Sequence, residues 1–193
     1  IFELHEQAKK YGVHSILEIS SKSEVALGIQ LSAFNLVITT KKYEKKLSVE
    51  TAFQGSKVFE RGGPFVDLYG IDSRAAKKDI RLKESGNLTK FSFFGVDFPL
   101  VPRTYFYDWI YINALVKNES LAEEVKEYDG FSDIEFNPKK SINCQAHSVA
   151  LYRSLVNNNL LIDAIDHPMS FLSICHSHYE NQSRNIGVQS SII

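Results

Sequence analysis

The twelve residues from Ser48 to Phe59 (Ser-Val-Glu-Thr-Ala-Phe-Gln-Gly-Ser-Lys-Val-Phe) constrain the chain more than any other stretch. Taken at helical period, they set Val49, Ala52, Phe53, Ser56 and Phe59 on an apolar stripe. Glu50, Gln54 and Lys57 form a polar stripe beside it, because steps of four and three residues return to nearly the same angle. Ser48 stands where an N-cap belongs, and Gly62-Gly63-Pro64 closes the region. Such a helix lies against a core along one edge, which leaves a carboxylate, an amide and an amine at the core's margin. An ordinary amphipathic helix with a solvated edge shows the same pattern. Gly55 and Ser56 argue against that simpler case, since both lower helix propensity in mid-helix.

Around this segment, helical patterns dominate. A polar helix is expected over residues 3–11, stopped by Gly12, and a short strand over 16–19. Ser23 is placed to cap a brief helix reaching Ile29, and residues 34–40 have the β-branched content of a strand. Residues 41–46 read as its exposed turn. Asp72 or Ser73 caps a charged helix through Glu84, with Gly86-Asn87 as its stop. Phe91, Phe93, Phe98 and Leu100 flank a turn near Gly95-Val96-Asp97, which predicts a hairpin over 90–100. Residues 103–116 form an aromatic helix carrying Tyr105, Phe106, Trp109, Ile110 and Ile112; an acidic helix over 119–128 follows. An irregular loop is expected over 129–140, a helix with small residues over 141–156, and a polar, loosely held tail from His176. Strands are few and no βαβ alternation appears. The expected fold is therefore α+β: one helix-rich domain over 1–193 with a few short antiparallel strands, its residues 1–18 an extension.

Composition narrows the function. The 193 residues suit one domain, and a net charge of −1 makes the whole molecule no magnet for nucleic acid, so any DNA contact must be local. The two cysteines, Cys144 and Cys175, have no paired spacing, which points to a reducing, cytoplasmic setting. No apolar run reaches membrane-spanning length, so no membrane partner is expected. The first residues lack a signal peptide's regions, and an initiator or a tag is expected before Ile1. His176 and His178 have no further ligand at metal-site spacing, so neither a metal nor another cofactor is implied. The lysine pairs at 9–10, 41–42, 45–46, 77–78 and 139–140 could gather DNA phosphates on one face or be scattered solvated charge.

The chemistry centres on Glu50 and Lys57. In the first helical turn, backbone N–H groups favour a negative charge, and a carboxylate there can activate water or stabilise an oxocarbenium-like cation. First-turn acids are also common for the helix's own sake. Lys57 would lie about 10 Å further along the helix axis. A lysine near apolar groups becomes a nucleophile toward carbonyls or imines, whereas a surface lysine does not. Arg61 with Gly62 and Gly63 could present N–H groups to a pyrophosphate or form a plain stop turn. Asn143 could donate to a ligand or cap a helix. Asp129 and Asp133 could orient a ribose hydroxyl or shape their loop. Phe34 and Phe131 could stack on a base or fill the core.

The run Glu50-Thr51-Ala52-Phe53-Gln54-Gly55-Ser56-Lys57 resembles the Glu-His-Tyr-x-Gln-Ala-x-Lys helix of the NADAR family, N-glycosidases acting on ribosyl-amine linkages. Leu31-Ser32-Ala33-Phe34 is similar to that family's Leu-Ser-Asn-Phe, with Ala33 in place of the amide. Residues 141–146 are similar to its Gly-Lys-Asn-Leu-Leu-Gly and keep the asparagine, Asn143. Asp129-Gly130-Phe131-Ser132 stands where the family has Asp followed by Trp-Gly. The longer runs over 53–64 and 133–140 look more like one branch, the NADAR antitoxins associated with DarT toxins. That resemblance implies removal of ADP-ribose from guanine in DNA, with Glu50 and Lys57 catalytic and Ser32, Phe34, Gln54, Arg61, Gly62, Gly63, Asp129, Phe131, Asp133 and Asn143 around the ligand. Its partners would be ADP-ribosylated DNA, ADP-ribose as product and the cognate DarT toxin. The alternatives are an N-glycosidase on small phosphorylated aminopyrimidine ribosides, as in other branches, and a non-catalytic module that binds the toxin or ADP-ribose.

Overall fold

The elements gather around a helix that is apolar on nearly every side. The computed structural model describes residues 2–40, 45–134 and 143–181. From the N-terminus it runs α1 (Phe2–Lys9), β1 (Ile16–Glu18), α2 (Ala26–Gln30), β2 (Val37–Thr39), β3 (Lys46–Ser48), α3 (Val49–Gly55) and β4 (Lys57–Phe59). A 3-10 turn at Val66–Gly70 leads to α4 (Ser73–Lys77), α5 (Arg81–Glu84), β5 (Leu88–Phe93), β6 (Val96–Phe98) and α6 (Tyr105–Lys117). The chain then forms α7 (Glu119–Glu124), a 3-10 turn at Val125–Glu127, β7 (Gly130–Ser132), α8 (Gln145–Asn157), α9 (Leu161–Asp166) and α10 (Pro168–Ile174). The class is α+β, helix-rich, in one compact domain.

The central helix is α6. Tyr105, Phe106, Ile110, Tyr111, Ile112, Ala114 and Leu115 are all buried, and α3, α7, α8 and β2 pack against it. A helix with this composition has no solvated face to offer, so it must be covered all round. Its aromatic side meets the three-stranded sheet β4–β5–β6, where Phe91 stacks on Phe106 at 4.7 Å and Phe98 tilts against it at 4.8 Å. Ring pairs of this kind add to the burial that holds sheet and helix together.

The hairpin β5–β6 forms as expected, but its turn lies earlier than Gly95-Val96-Asp97, because Val96 and Asp97 pair with Phe93 and Ser92 in the strands. Phe91 pairs with Phe98, and Phe94 (φ 47°) with Gly95 (φ 85°) makes the two-residue turn that matches strand twist. The β2–β3 pair is likewise antiparallel. The third sheet is not: β1 and β7 run parallel, Leu17 opposite Phe131, although only antiparallel strands were expected. Residues far apart in sequence meet here, a pairing that no local pattern signals.

Several element limits differ from expectation, each for a physical reason. The strand expected over 34–40 is only β2, because residues 32–36 turn back through Asn35 N–Ser32 O and Leu36 N–Ser32 O bonds. Ser23 accepts from Val25 N in a local turn and leaves α2 without a side-chain cap. The charged helix over 72–84 breaks in two: Asp72 caps α4, and Asp79 then accepts from Arg81 N and restarts the chain as α5. The loop over 129–140 opens with strand β7, and α8 begins at Gln145. The tail expected from His176 is helical over 176–181, where Tyr179 is buried and donates to Asp108. Residues 1–18, expected as an extension, include β1 and its fully buried Leu17. The turn at 41–44, the lysine pairs 41–42 and 139–140, residues 135–142 and the tail beyond 181 lie outside the described residues. Among the described residues, no helix is long and apolar enough to cross a membrane.

Candidate active site

Strand β3 delivers the chain straight into α3. Ser48 ends the strand with extended backbone (φ −72°, ψ 160°), and its hydroxyl accepts from Thr51 N at 3.0 Å. This is the expected cap, and it satisfies a donor that the first turn would otherwise leave open. The helix ends at Gly55, short of the expected Phe59. Tyr69 lies so close that a Cβ at Gly55 would stand 2.5 Å from its ring, and its hydroxyl meets Ser56 at 2.9 Å. Beyond Ser56 the backbone pairs with β5, Lys57 opposite Phe91. Strand pairing wins over continued helix, so Lys57 belongs to β4 and not to α3. The separation of about two helical turns expected from Glu50 does not hold.

The shorter helix brings the predicted groups into direct contact. Gln54 Nε2 donates to Glu50 Oε1 at 2.8 Å, and Lys57 Nζ donates to Gln54 Oε1 at 2.7 Å. A carboxylate can only accept and an ammonium can only donate, so the amide's orientation is fixed by its two neighbours. Glu50 and Gln54 are 5% and 6% exposed, so the polar stripe expected at the margin is inside the fold. Lys57 is half-buried, with its Nζ 4.8 Å above the Phe53 ring. Burial brings its pKa from 10.5 down to about 8, against the attraction of Glu50 and with help from the positive charge of Lys77. At neutral pH the group is mostly ammonium, with roughly a tenth as free amine.

Two further side chains stand here that sequence patterning passed over. Lys77, on α4, places Nζ 3.7 Å from Glu50 Oε1 and 5.0 Å above the Phe34 ring. It belongs to one of the lysine pairs that read as scattered charge, and nothing local in sequence marks it. Tyr107, on α6, is buried with its ring edge-on to Phe53 at 5.4 Å. Burial pushes its phenol well up, and the negative charge of Glu50 adds to this, followed by Tyr111, Asp133 and Asp108. It therefore stays protonated. Its position within an aromatic helix concealed it.

The loops expected to frame the site converge on the start of α3. Glu50 N donates to Ala33 O at 2.8 Å, Ala33 N donates to Gln145 Oε1, and Gln145 Nε2 donates to Asp133 Oδ2 at 3.2 Å. Tyr111 fixes the same loop from α6 by donating to Leu31 O at 2.6 Å. Ser32 is fully buried, and its hydroxyl has no hydrogen-bond partner among the described residues. Phe34 joins through Lys77, and Asn143 lies just before Cys144, the N-cap of α8.

The other candidates are engaged elsewhere. Both carboxylate oxygens of Asp129 accept backbone N–H groups, from His14 at 3.0 Å and Ser15 at 2.7 Å, and these bonds hold its carboxyl below its usual range. Asp129 thus fastens the entry to β7 onto the chain before β1. Phe131 lies in β7 opposite Leu17, against the core. Arg61 turns to the end of α5, donating to Glu84 O at 2.6 Å. Gly62 accepts from Phe59 N in the turn after β4, and Gly63 (φ 94°) backs onto the carbonyl of Lys57. A cavity of about 350 Å³ among α6, α7, α8 and α9, lined by Val116, Ala122, Tyr152 and Ile162, shares no residue with the cluster.

A small α+β domain with a buried carboxylate, an amide and a half-buried amine in sequence, set against aromatic rings, is the class that fold and site define. Over residues 1–185 the chain matches the family model of the DarT1-associated NADAR antitoxins, and it belongs to that family. The branch implied by the resemblance of residues 53–64 and 133–140 is thereby the right one. No curated protein matches the chain.

Proposed function

We propose that this protein is a hydrolase that removes ADP-ribose from guanine bases in DNA and so acts as antitoxin to a DarT-type ADP-ribosyltransferase. The observation that carries the reading is the relay Glu50–Gln54–Lys57, joined at 2.8 and 2.7 Å within a chain of the DarT1-associated NADAR family.

The linkage is an N-glycoside on an exocyclic amine, and its cleavage leaves the ribose C1′ electron-poor. Glu50 Oε1 is taken by Gln54, and Oε2 is the oxygen assigned to the reaction. In one route Glu50 takes a proton from water as the water oxygen bonds to C1′. The C1′–N bond breaks, and ammonium Lys57 returns a proton to the departing amine. In the other, free amine Lys57 adds to C1′ of the opened ribose, the imine forms as guanine leaves, and water then hydrolyses the imine. Reduction with cyanoborohydride during turnover separates them, since only the second route leaves ribose bonded to Lys57. Phe34 offers an aromatic ring to the ligand, and Lys77 beside it offers charge at the rim.

The deciding experiment is release of ADP-ribose from a guanine-modified oligonucleotide, run beside small phosphorylated aminopyrimidine ribosides. Wild type is expected to act on the DNA, and Glu50→Ala and Lys57→Ala to lose at least about 100-fold in kcat while remaining folded. Undiminished release by both variants would remove the mechanism. Turnover of the small ribosides alone would reassign the substrate, and tight binding of modified DNA without release would make the protein a cap.

A further inference from the structure

Lys77 reaches the site from a different element than Glu50 and Lys57, and that element is fixed in place. At the first residue of α4, Ser73 Oγ donates to Phe34 O at 3.1 Å and lies 2.7 Å from Ser48 Oγ, the cap of α3. The two hydroxyls share this short contact, and it ties α4, α3 and the Phe34 loop together. Four residues on, along the same helix face, comes Lys77. Its Nζ is thereby set 3.7 Å from Glu50 Oε1 and 5.0 Å over Phe34, with a side chain 55% exposed. Glu50 is at the bottom of this arrangement and Lys77 at its rim.

We propose that Lys77 is a positioning residue of this site: with Gln54 it holds Oε1 of Glu50, leaving Oε2 to face the reacting bond, and it keeps a second positive charge opposite Lys57. The inference rests on the glycosidase reading above and goes beyond it by adding a third charged group. Gln54 alone would steady one oxygen through one bond; a cation on the same oxygen fixes which oxygen is spent. Among the described residues, the charged groups facing Lys57 are Glu50 from α3 and Lys77 from α4, and its β5 partner Phe91 carries none. Loss of Lys77 therefore moves the Lys57 amine toward higher pKa, in accord with the part Lys77 plays in holding it near 8, behind burial. The ring of Phe34 beneath the ammonium favours a cation at this spot over a neutral group.

The test compares wild type, Lys77→Met and Lys77→Arg by two readouts. The first needs no catalysis: the pH dependence of Lys57 carbamylation by cyanate, followed by mass spectrometry. Its midpoint is expected near 8 in wild type, higher in Lys77→Met and unchanged in Lys77→Arg. The second is turnover of guanine-ADP-ribosylated oligonucleotide. Lys77→Met is expected to lose about tenfold or more in kcat with little change in KM, and Lys77→Arg to retain most of it. An unmoved midpoint in Lys77→Met overturns the proposal, as does an equal loss of kcat in both variants with unchanged pH profiles. If wild type fails to release ADP-ribose, the glycosidase reading falls, and the labelling experiment still judges Lys77.

Discussion

An amine held between Phe53 and Gln54 works against the stability of the fold that holds it. The folded pKa of Lys57, about 8, lies below its ordinary 10.5. Below pH 8 both folded and unfolded chains carry the proton, and the cost of burying the charge is felt in full. Between 8 and 10.5 the folded chain releases the proton while the unfolded chain keeps it, so stability rises with pH across that window. Lys57→Met is therefore expected to be more stable than wild type by about 1 kcal/mol at pH 7, with the gap closing as pH rises from 8 to 10.5. Urea titrations of both proteins at pH 7, 9 and 10 check this, and a variant no more stable at pH 7 contradicts it. Glu50, Gln54 and Lys57 were legible as a set because steps of four and three residues bring side chains together on a helix. They meet in the fold even though Lys57 has left the helix. Lys77 and Tyr107 were not legible, since their neighbourhood depends on how α4 and α6 pack against α3, and spacing within one element carries no information about that.

The turn from α3 into β4 is the element on which the lysine's placement depends. Gly55 is there because Tyr69 occupies the space that any side chain would need. Gly55→Ala is expected to displace the Tyr69 ring, break its contact with Ser56 and cost about 1–3 kcal/mol, read as a lower thermal midpoint. A variant melting at the wild-type temperature would show that the ring yields without cost. Ser73→Ala tests the tie at the start of α4 and is expected to cost about 1 kcal/mol in urea unfolding, since the Phe34 carbonyl loses its donor. The cap at Ser48, a cap at Asp72 or Ser73, the β5–β6 hairpin and the aromatic helix could be read from sequence, because each is set by chemistry within a few residues. The break at Asp79 and the end of α3 could not. The first arises from a carboxylate that caps Arg81 and chelates its guanidinium, and the second from a tyrosine fourteen residues downstream of Gly55.

Across the whole molecule, two buried carboxylates join distant parts of the chain. Asp108, inside α6, accepts from Ser148 on α8 at 2.7 Å and from Tyr179 at 3.2 Å. Burial raises its pKa, and the hydroxyl donors oppose that rise. Tyr179→Phe removes one of these donors and is expected to cost about 1–2 kcal/mol in urea unfolding, with faster hydrogen exchange over 176–181. Unaltered exchange there would mean that other contacts hold the segment. Glu18, in β1, accepts from Ser132 Oγ at 2.6 Å and from Ile134 N at 2.8 Å. That parallel pairing has a consequence for synthesis. While a ribosome is still making the first hundred residues, Glu18 has no donors to greet it and Leu17 has no strand to lie beside. Gln145, whose side chain bridges Ala33 and Asp133, emerges later still. A nascent chain therefore closes this part of the fold only once residues 130–134 and Gln145 have left the exit tunnel.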